Sequence, residues 1–443
     1  MVQVSGKERS SNYISQVKKS VIYKAAAVAA SFISMPIMLR YLGNEGYGIW
    51  STLLTLMSWV VFFDLGIGNG LRNKLAESIA TNAPDRARAY ISSCYSWIGV
   101  ISGALCLALV IASGFVPWQK VFNTTSFDDS YLGTVVATSI FFVLANFWIS
   151  LINQVLGSIQ KSSLIVLGQL ISNAGGLLAV YALYLTTTSS LLYMTIGYGL
   201  SLCAGNIVLS VAYFSRHKES RPRPLFSLSV IRPLLTVGLQ FFGIQLAALA
   251  FFATDKIIIT QVFGPESVAP YDVVFKLFAI ITLAHGLILA PLWSAYTDAY
   301  HRSDFAWIRS AFRRQFAIYG LTSILTLVLA AIAPTIIKLW TGSAVDIPEH
   351  LIGSMALYII VATWVNMFAI FLNGVQKIRV SLLVSIAAVT INIPLSIYLA
   401  THTDLNVAAV SIGTTIALLP GVFLGPYQVT KIINQKNLGI WNR

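Results

Sequence analysis

Hydrophobic positions along this chain do not settle into a short alternation with polar ones. They run on in blocks of about 20 residues or more, each closed by a brief polar, glycine-bearing or proline-bearing break. A helix that is apolar on every side has no face to offer water, and a block of that length crosses hydrocarbon. The pattern predicts twelve such helices, at roughly 18–42, 46–71, 89–115, 131–156, 163–186, 189–214, 234–262, 267–298, 313–340, 350–373, 380–400 and 405–430. Composition agrees. Only 10% of residues are charged, against about 25% in soluble domains, and the mean hydropathy is +0.76. The expected fold class is an all-α polytopic membrane protein. The first block lacks a small-residue cleavage pattern and leads straight into the second, so it reads as a retained helix rather than a signal peptide.

Charge then sets the orientation. With the N-terminus in the cytoplasm, 23 of the 29 Lys and Arg fall in inner loops or inner helix ends, and Arg40, Lys120 and Lys338 alone fall outside. That asymmetry places both termini inside and accounts for most of the +13 net charge without a nucleic-acid partner. The three cysteines, Cys94, Cys106 and Cys203, sit in or beside apolar runs without metal-ligand spacing.

The stretch "FFDLGIGNGLRNKLAE", Phe62 to Glu77, carries three glycines that imitate a phosphate loop. Such a loop needs a strand before it and a phosphate-binding helix after it; here a long apolar helix precedes it. From Gly46, Asp64 lies about 27 Å along that helix, so the stretch is its cytoplasmic end. No metal cluster, nucleophile motif or phosphate loop appears, and no cofactor or metal is expected. A membrane glycosyl- or phosphotransferase would need a carboxylate-rich surface loop, whereas the acids here are sparse; the chain does not read as an enzyme.

An internal repeat organises the chain. "LGNEGYGIWSTLLTL" from Leu42 aligns without gaps to "FGPESVAPYDVVFKL" from Phe263, and "FWISLINQVLGSIQK" ending at Lys161 aligns to "TWVNMFAIFLNGVQK" ending at Lys377. Both matches pair each helix with the one six later. The expected domains are an N-terminal six-helix lobe at 1–214, a cytoplasmic linker at 215–233 containing "SRHKESRPRP", and a C-terminal six-helix lobe at 234–443. Two parallel halves can rock about a site between them, the geometry of alternating access.

"LGNEGYGIW", "DLGIGNGLRNKLAE" and "TDKIIITQVFGPESVAPYDVVFKL" resemble the Wzx-type O-antigen flippases of polysaccharide biosynthesis. These belong to the superfamily of multidrug and toxin extrusion exporters and lipid II flippases. The resemblance covers nearly the whole chain. It implies two lobes forming a V and translocation of an undecaprenyl-diphosphate-linked oligosaccharide across the bacterial inner membrane. The implied partners are that lipid-linked oligosaccharide, membrane lipids, a coupling cation (proton or sodium) and other polysaccharide-assembly membrane proteins. The alternative is a cation-coupled multidrug or small-solute exporter of the same superfamily. The loop "RNKLAESIATNAPDRARAY" lacks the acidic-then-Gly/Arg pattern of the major facilitator class.

Ionisable residues at membrane depth are functional candidates because burial is costly without a partner or a cavity. For substrate binding these are Lys24, Lys256, Lys276 and Arg72, cations suited to a diphosphate, with Trp148 and Asn153 for sugars. For ion coupling they are Asp64, Asp255 and His285. Bland readings stay open beside these. Lys24 can snorkel to the inner face, Asp272 and Lys276 are spaced for a helical salt bridge, and Asp255 and His285 can serve packing. Lys256 points about 100° away from Asp255 and needs a partner of its own or an aqueous cavity. His285 falls at the repeat position of Asp64.

Overall fold

A computed structural model describes residues 6–60, 67–159, 161–232, 254–289, 292–342, 344–435 and 439. They form two compact units, Met1–Leu249 and Ala250–Arg443. The division falls beyond the expected 215–233 linker, in a stretch (233–253) outside the described residues that also holds most of the expected seventh span. Among the described residues, ten helices are long and apolar enough to cross a membrane. The first of these, Lys18–Trp59, covers the first expected span and the first part of the second, 46–59.

The first unit begins with α1 (Gly6–Val60), which bends at Gly43, where φ is 71° and ψ 175°. Only glycine adopts that conformation freely, so one residue kinks the chain between two helical arms with no intervening loop. Then come α2 (Ile67–Ala80), α3 (Pro84–Ser113), α4 (Trp118–Phe122), α5 (Asp129–Ile149), α6 (Leu151–Ser158), α7 (Ser162–Thr186) and α8 (Leu191–Arg216). Gly68 and Gly70 lie inside the regular helix α2, from which Arg72 projects. Proline opens α3, where its missing N–H costs nothing, and the Ser190 hydroxyl caps α8 by accepting from Tyr193 N. The first arm of α1 and α7 pack side by side in the same direction. Asn173 Nδ2 donates to Ala27 O at 3.0 Å near one end, and Tyr41 OH donates to Thr188 O at 2.9 Å near the other.

The second unit holds α9 (Asp255–Phe263), α10 (Val268–Leu289), α11 (Leu292–His301), α12 (Phe305–Thr341), α13 (Leu351–Gly374), α14 (Arg379–His402) and α15 (Ala408–Ile433). Between α9 and α10 stands Gly264, with φ 89° and ψ 158°. It is the repeat partner of Gly43 and has the same glycine-only conformation, so the sequence repeat is also a repeat of backbone geometry. The half of this unit where α11, α12 and α13 meet is aromatic. Phe312 stacks on Phe368 with centroids 5.7 Å apart, and Tyr296 meets Phe371 edge-on at 5.0 Å.

The second repeat match places a tryptophan on α5 and another on α13, and each indole N–H reaches a backbone carbonyl. Trp148 Nε1 donates to Tyr95 O on α3 at 2.9 Å, and Trp364 Nε1 donates to Val422 O on α15 at 3.1 Å. The two units make room for this bond differently. In the first, a Cβ at Gly99 would stand 3.0 Å from Trp148 Nε1, so the missing side chain admits the indole. In the second, the residue four after Val422 is Pro426, which has no N–H; the indole supplies the donor that proline removed.

Candidate functional site

Lys24, on the first arm of α1, donates from Nζ to Gln169 Oε1 on α7 at 3.0 Å. It thus reaches a neighbouring helix rather than only the interface. The acceptor is a neutral amide, and no carboxylate lies within ion-pair distance among the described residues. The amide holds its charge in place without cancelling it.

Arg72 is exposed on α2 and lies across α6. A Cβ at Gly157 would meet its Nε at 3.0 Å and its Cδ and Cζ at 3.3 Å, so the guanidinium lies in a seat that a larger residue would fill. No carboxylate pairs with it among the described residues. Asn153 stands one turn before Gly157 on the same face of α6. Its Nδ2 donates to Asn206 Oδ1 on α8 at 3.0 Å, and Asn206 Nδ2 donates onward to Asn146 Oδ1 on α5 at 2.9 Å. The ladder ends on Asn153 Oδ1, which is buried and has no donor among the described residues. Trp148 is 43% exposed with its N–H already committed, which leaves its ring rather than its donor for a sugar.

In the second unit the adjacent Asp255 and Lys256 diverge as the helical period requires, and each finds a different residue of α10. Tyr271 OH donates to Asp255 Oδ2 at 2.7 Å. Lys256 Nζ lies 2.7 Å from Asp272 Oδ1 and 3.0 Å from Oδ2. Asp272 thus forms an ion pair with Lys256 across two helices, in addition to the charge interaction with Lys276 on its own helix that the sequence spacing suggested. Beyond Asp255, Thr414 Oγ1 on α15 stands 3.5 Å from Oδ1 and 3.2 Å from Asn392 Oδ1 on α14. Ser396 Oγ donates to the same amide oxygen at 3.0 Å. Asn392 Nδ2 is buried with no acceptor among the described residues. A carboxylate, two hydroxyls and an amide oxygen form the kind of oxygen-rich cluster that takes a proton or a hard monovalent cation.

His285 is buried on α10, and neither ring nitrogen has a partner among the described residues. Asp64, its repeat partner, lies outside the described residues. The predicted candidates therefore fall into separate places: Arg72 and Asn153 together, Lys24 against α7, and Asp255 with Lys256 at the α9–α10 junction. Sequence reasoning missed Gly157, Gln169, Asn206, Tyr271, Asn392 and Thr414. Amides inside apolar blocks were visible, but which of them bond depends on which helices meet.

A family described as polysaccharide biosynthesis protein matches residues 17–295. The chain belongs to that family. Among its relatives, the "Putative O-antigen transporter" of Salmonella typhi is 24% identical over 378 residues, covering 82% of this chain and 83% of its own. The "Putative O-antigen export protein" of Yersinia pseudotuberculosis is 21% identical over 395 residues, covering 80% and 82%. Among solved structures, a multidrug resistance MATE family transporter of the MOP superfamily superposes with a TM-score of 0.70 at 14% identity, covering 96% of this chain and all of that one. A MOP superfamily transporter from Pyrococcus furiosus gives 0.60 at 15% identity, covering 95% and 96%. At such identities the structural likeness carries the fold. This polysaccharide biosynthesis family member is a multi-pass membrane protein with the MATE fold.

Proposed function

We propose that this protein flips an undecaprenyl-diphosphate-linked oligosaccharide, an O-antigen or similar repeat unit, across the bacterial inner membrane by cation-coupled alternating access. The observation that carries the reading is the match to relatives named for O-antigen transport and export over about four fifths of both chains. The geometry supports a division of labour. The first unit holds Lys24 against α7 and Arg72 beside an amide ladder, neither with an acidic partner among the described residues, which suits a diphosphate and its sugars. The second unit holds Lys256 paired with Asp272 and keeps Asp255 for the coupling ion. A cationic-drug exporter needs acids where Lys24 and Arg72 stand.

Deletion of the protein tests the proposal. Loss of surface polysaccharide with accumulation of lipid-linked intermediate is the expected result, and intact surface glycan without accumulation defeats it. Coupling is tested separately. Asp255→Asn is expected to abolish the dependence of transport on the ion gradient while the protein stays at normal abundance in the membrane; equal loss of abundance assigns Asp255 to packing instead.

A further inference from the structure

The segment that follows α8 is not a free tether. Arg223 N donates to Ser92 Oγ at 3.1 Å and Leu225 N donates to Ser96 Oγ at 2.9 Å. Phe226 meets Trp97 edge-on with centroids 5.8 Å apart, and Arg221 Nε donates to Phe214 O at 2.9 Å. Two residues of extended chain rise about 6.6 Å and one i,i+4 step of helix about 6 Å, so the strap runs alongside α3 in register with one of its faces. The sequence is built for this. In "RPRPL" the prolines Pro222 and Pro224 alternate with Arg223 and Leu225, the two residues whose N–H groups are bonded.

That registration sorts the strap's chemistry by depth. α3 has 30 residues and is about 45 Å long, against roughly 30 Å of hydrocarbon. Taking Pro84 as its inner end, Ser92 to Trp97 falls at the inner edge of the apolar core. Arg216, Lys218, Arg221 and Arg223 come first, all exposed, with Glu219 the sole acid between them. Phe226, at the level of Trp97, is the deepest of these side chains and is 59% exposed; Ser227 O then accepts from Ser93 Oγ at 3.5 Å, so the strap turns back and Leu228, 70% exposed, follows at about the level of Arg223. Cations at headgroup level, with a leucine beside them and a phenyl ring just above, complement an anionic phospholipid: its phosphate below, the start of its acyl chains above.

We propose that this strap is a docking surface for anionic phospholipid of the inner leaflet. Arg221 and Arg223 hold the headgroup, Phe226 lies against the start of the chains, and Leu228 stands beside the headgroup. The strap thereby ties the inner end of α3 to the leaflet. Cys94, Cys106 and Cys203 are first replaced by Ser in the full-length protein, Leu228→Cys is added, and the new thiol is labelled with bimane. The protein is reconstituted in phosphatidylcholine vesicles doped with spin-labelled phosphatidylglycerol or spin-labelled phosphatidylcholine. Quenching is expected to favour phosphatidylglycerol. The preference should fall about fivefold for each of Arg221→Gln and Arg223→Gln, fade with salt, and survive Arg221→Lys and Arg223→Lys. Equal quenching by both lipids, or a label quenched only by aqueous iodide, overturns the proposal. The assay involves no transport and no polyprenyl lipid, so its outcome is independent of the flippase reading.

Discussion

The two units share a backbone device and differ in what they place around it. Gly43 and Gly264 turn the chain in the same way, yet the helices on either side carry opposite chemistry. At the repeat positions of Asp255, Lys256, Asp272 and Lys276 in the second unit, the first has Ser34, Met35, Ser51 and Thr55. The second repeat match reverses the bias. Asn146 and Asn153 in the first unit correspond to Ala362 and Ala369 in the second, where aromatic packing takes over. A duplicated scaffold has been loaded with charge at one end of one copy and with amides in the other. The difference argues that the halves do different work, which a symmetric binding site would not require.

The strongest way to break the comparison is to remove the charge from the second unit. Asp272→Ala or Lys256→Ala removes one partner of a pair that is largely shielded from water and is expected to cost about 3 kcal/mol, seen as lost abundance and thermal stability. Changing both to apolar residues should recover much of it. If Asp272→Ala is harmless, the ion pair is not what holds α9 to α10.

The tryptophans sharpen the contrast next. Trp364→Phe strands the Val422 carbonyl beside Pro426 and should destabilise by about 2 kcal/mol, with Pro426→Ala restoring the loss. Trp148→Phe should cost much less, because the Tyr95 carbonyl sits mid-helix and keeps its helical donor. Equal costs, read by thermal unfolding in detergent, would erase the distinction drawn between the two sites.

The seat of Arg72 is a test confined to the first unit. Gly157→Val is expected to lower transport about tenfold, the worth of one charge-assisted hydrogen bond, and to add nothing in an Arg72→Ala background. Additive losses mean that Gly157 serves packing alone. Asn206→Leu, which cuts the ladder in the middle, should cost only about 0.6 kcal/mol in stability but alter which sugar units are carried.

The smallest expected effect lies in α2. The hydrogen bond and charge of Lys74 hold the Glu77 carboxyl below its usual range, and Glu77 raises Lys74 in return. Glu77's contribution is therefore present above the ordinary carboxylate pKa and lost as pH falls through its lowered value. Lys74's is present below the ordinary lysine pKa and lost as pH rises through its raised one. The pair is solvent-facing, so Glu77→Gln should flatten the acid limb of a stability profile only slightly.

Block length and basic asymmetry made the membrane class legible in the sequence, because hydrocarbon thickness leaves few alternatives. The Gly43–Gly264 repeat was legible too, since a glycine-only turn cannot drift. For the candidate site the sequence offered single residues but not their neighbours. Asp272 is spaced for Lys276 on its own helix, yet Lys256 of α9 also reaches its carboxylate, and only the approach of two helices reveals that second partner. Gly157 carried no signal at all: a glycine reveals its purpose only when the side chain lying across it is seen.

The bond between Trp364 and Val422 also bears on how the chain is made. A carbonyl without a donor costs several kcal/mol in hydrocarbon, and α15 carries one wherever it travels without α13. Translation delivers α13 first, about 60 residues ahead, so the indole is already in the bilayer when Pro426 leaves the ribosome. The last span is thus admitted to the membrane by a helix waiting for it, and an early stop or a reordered chain would leave it without its escort.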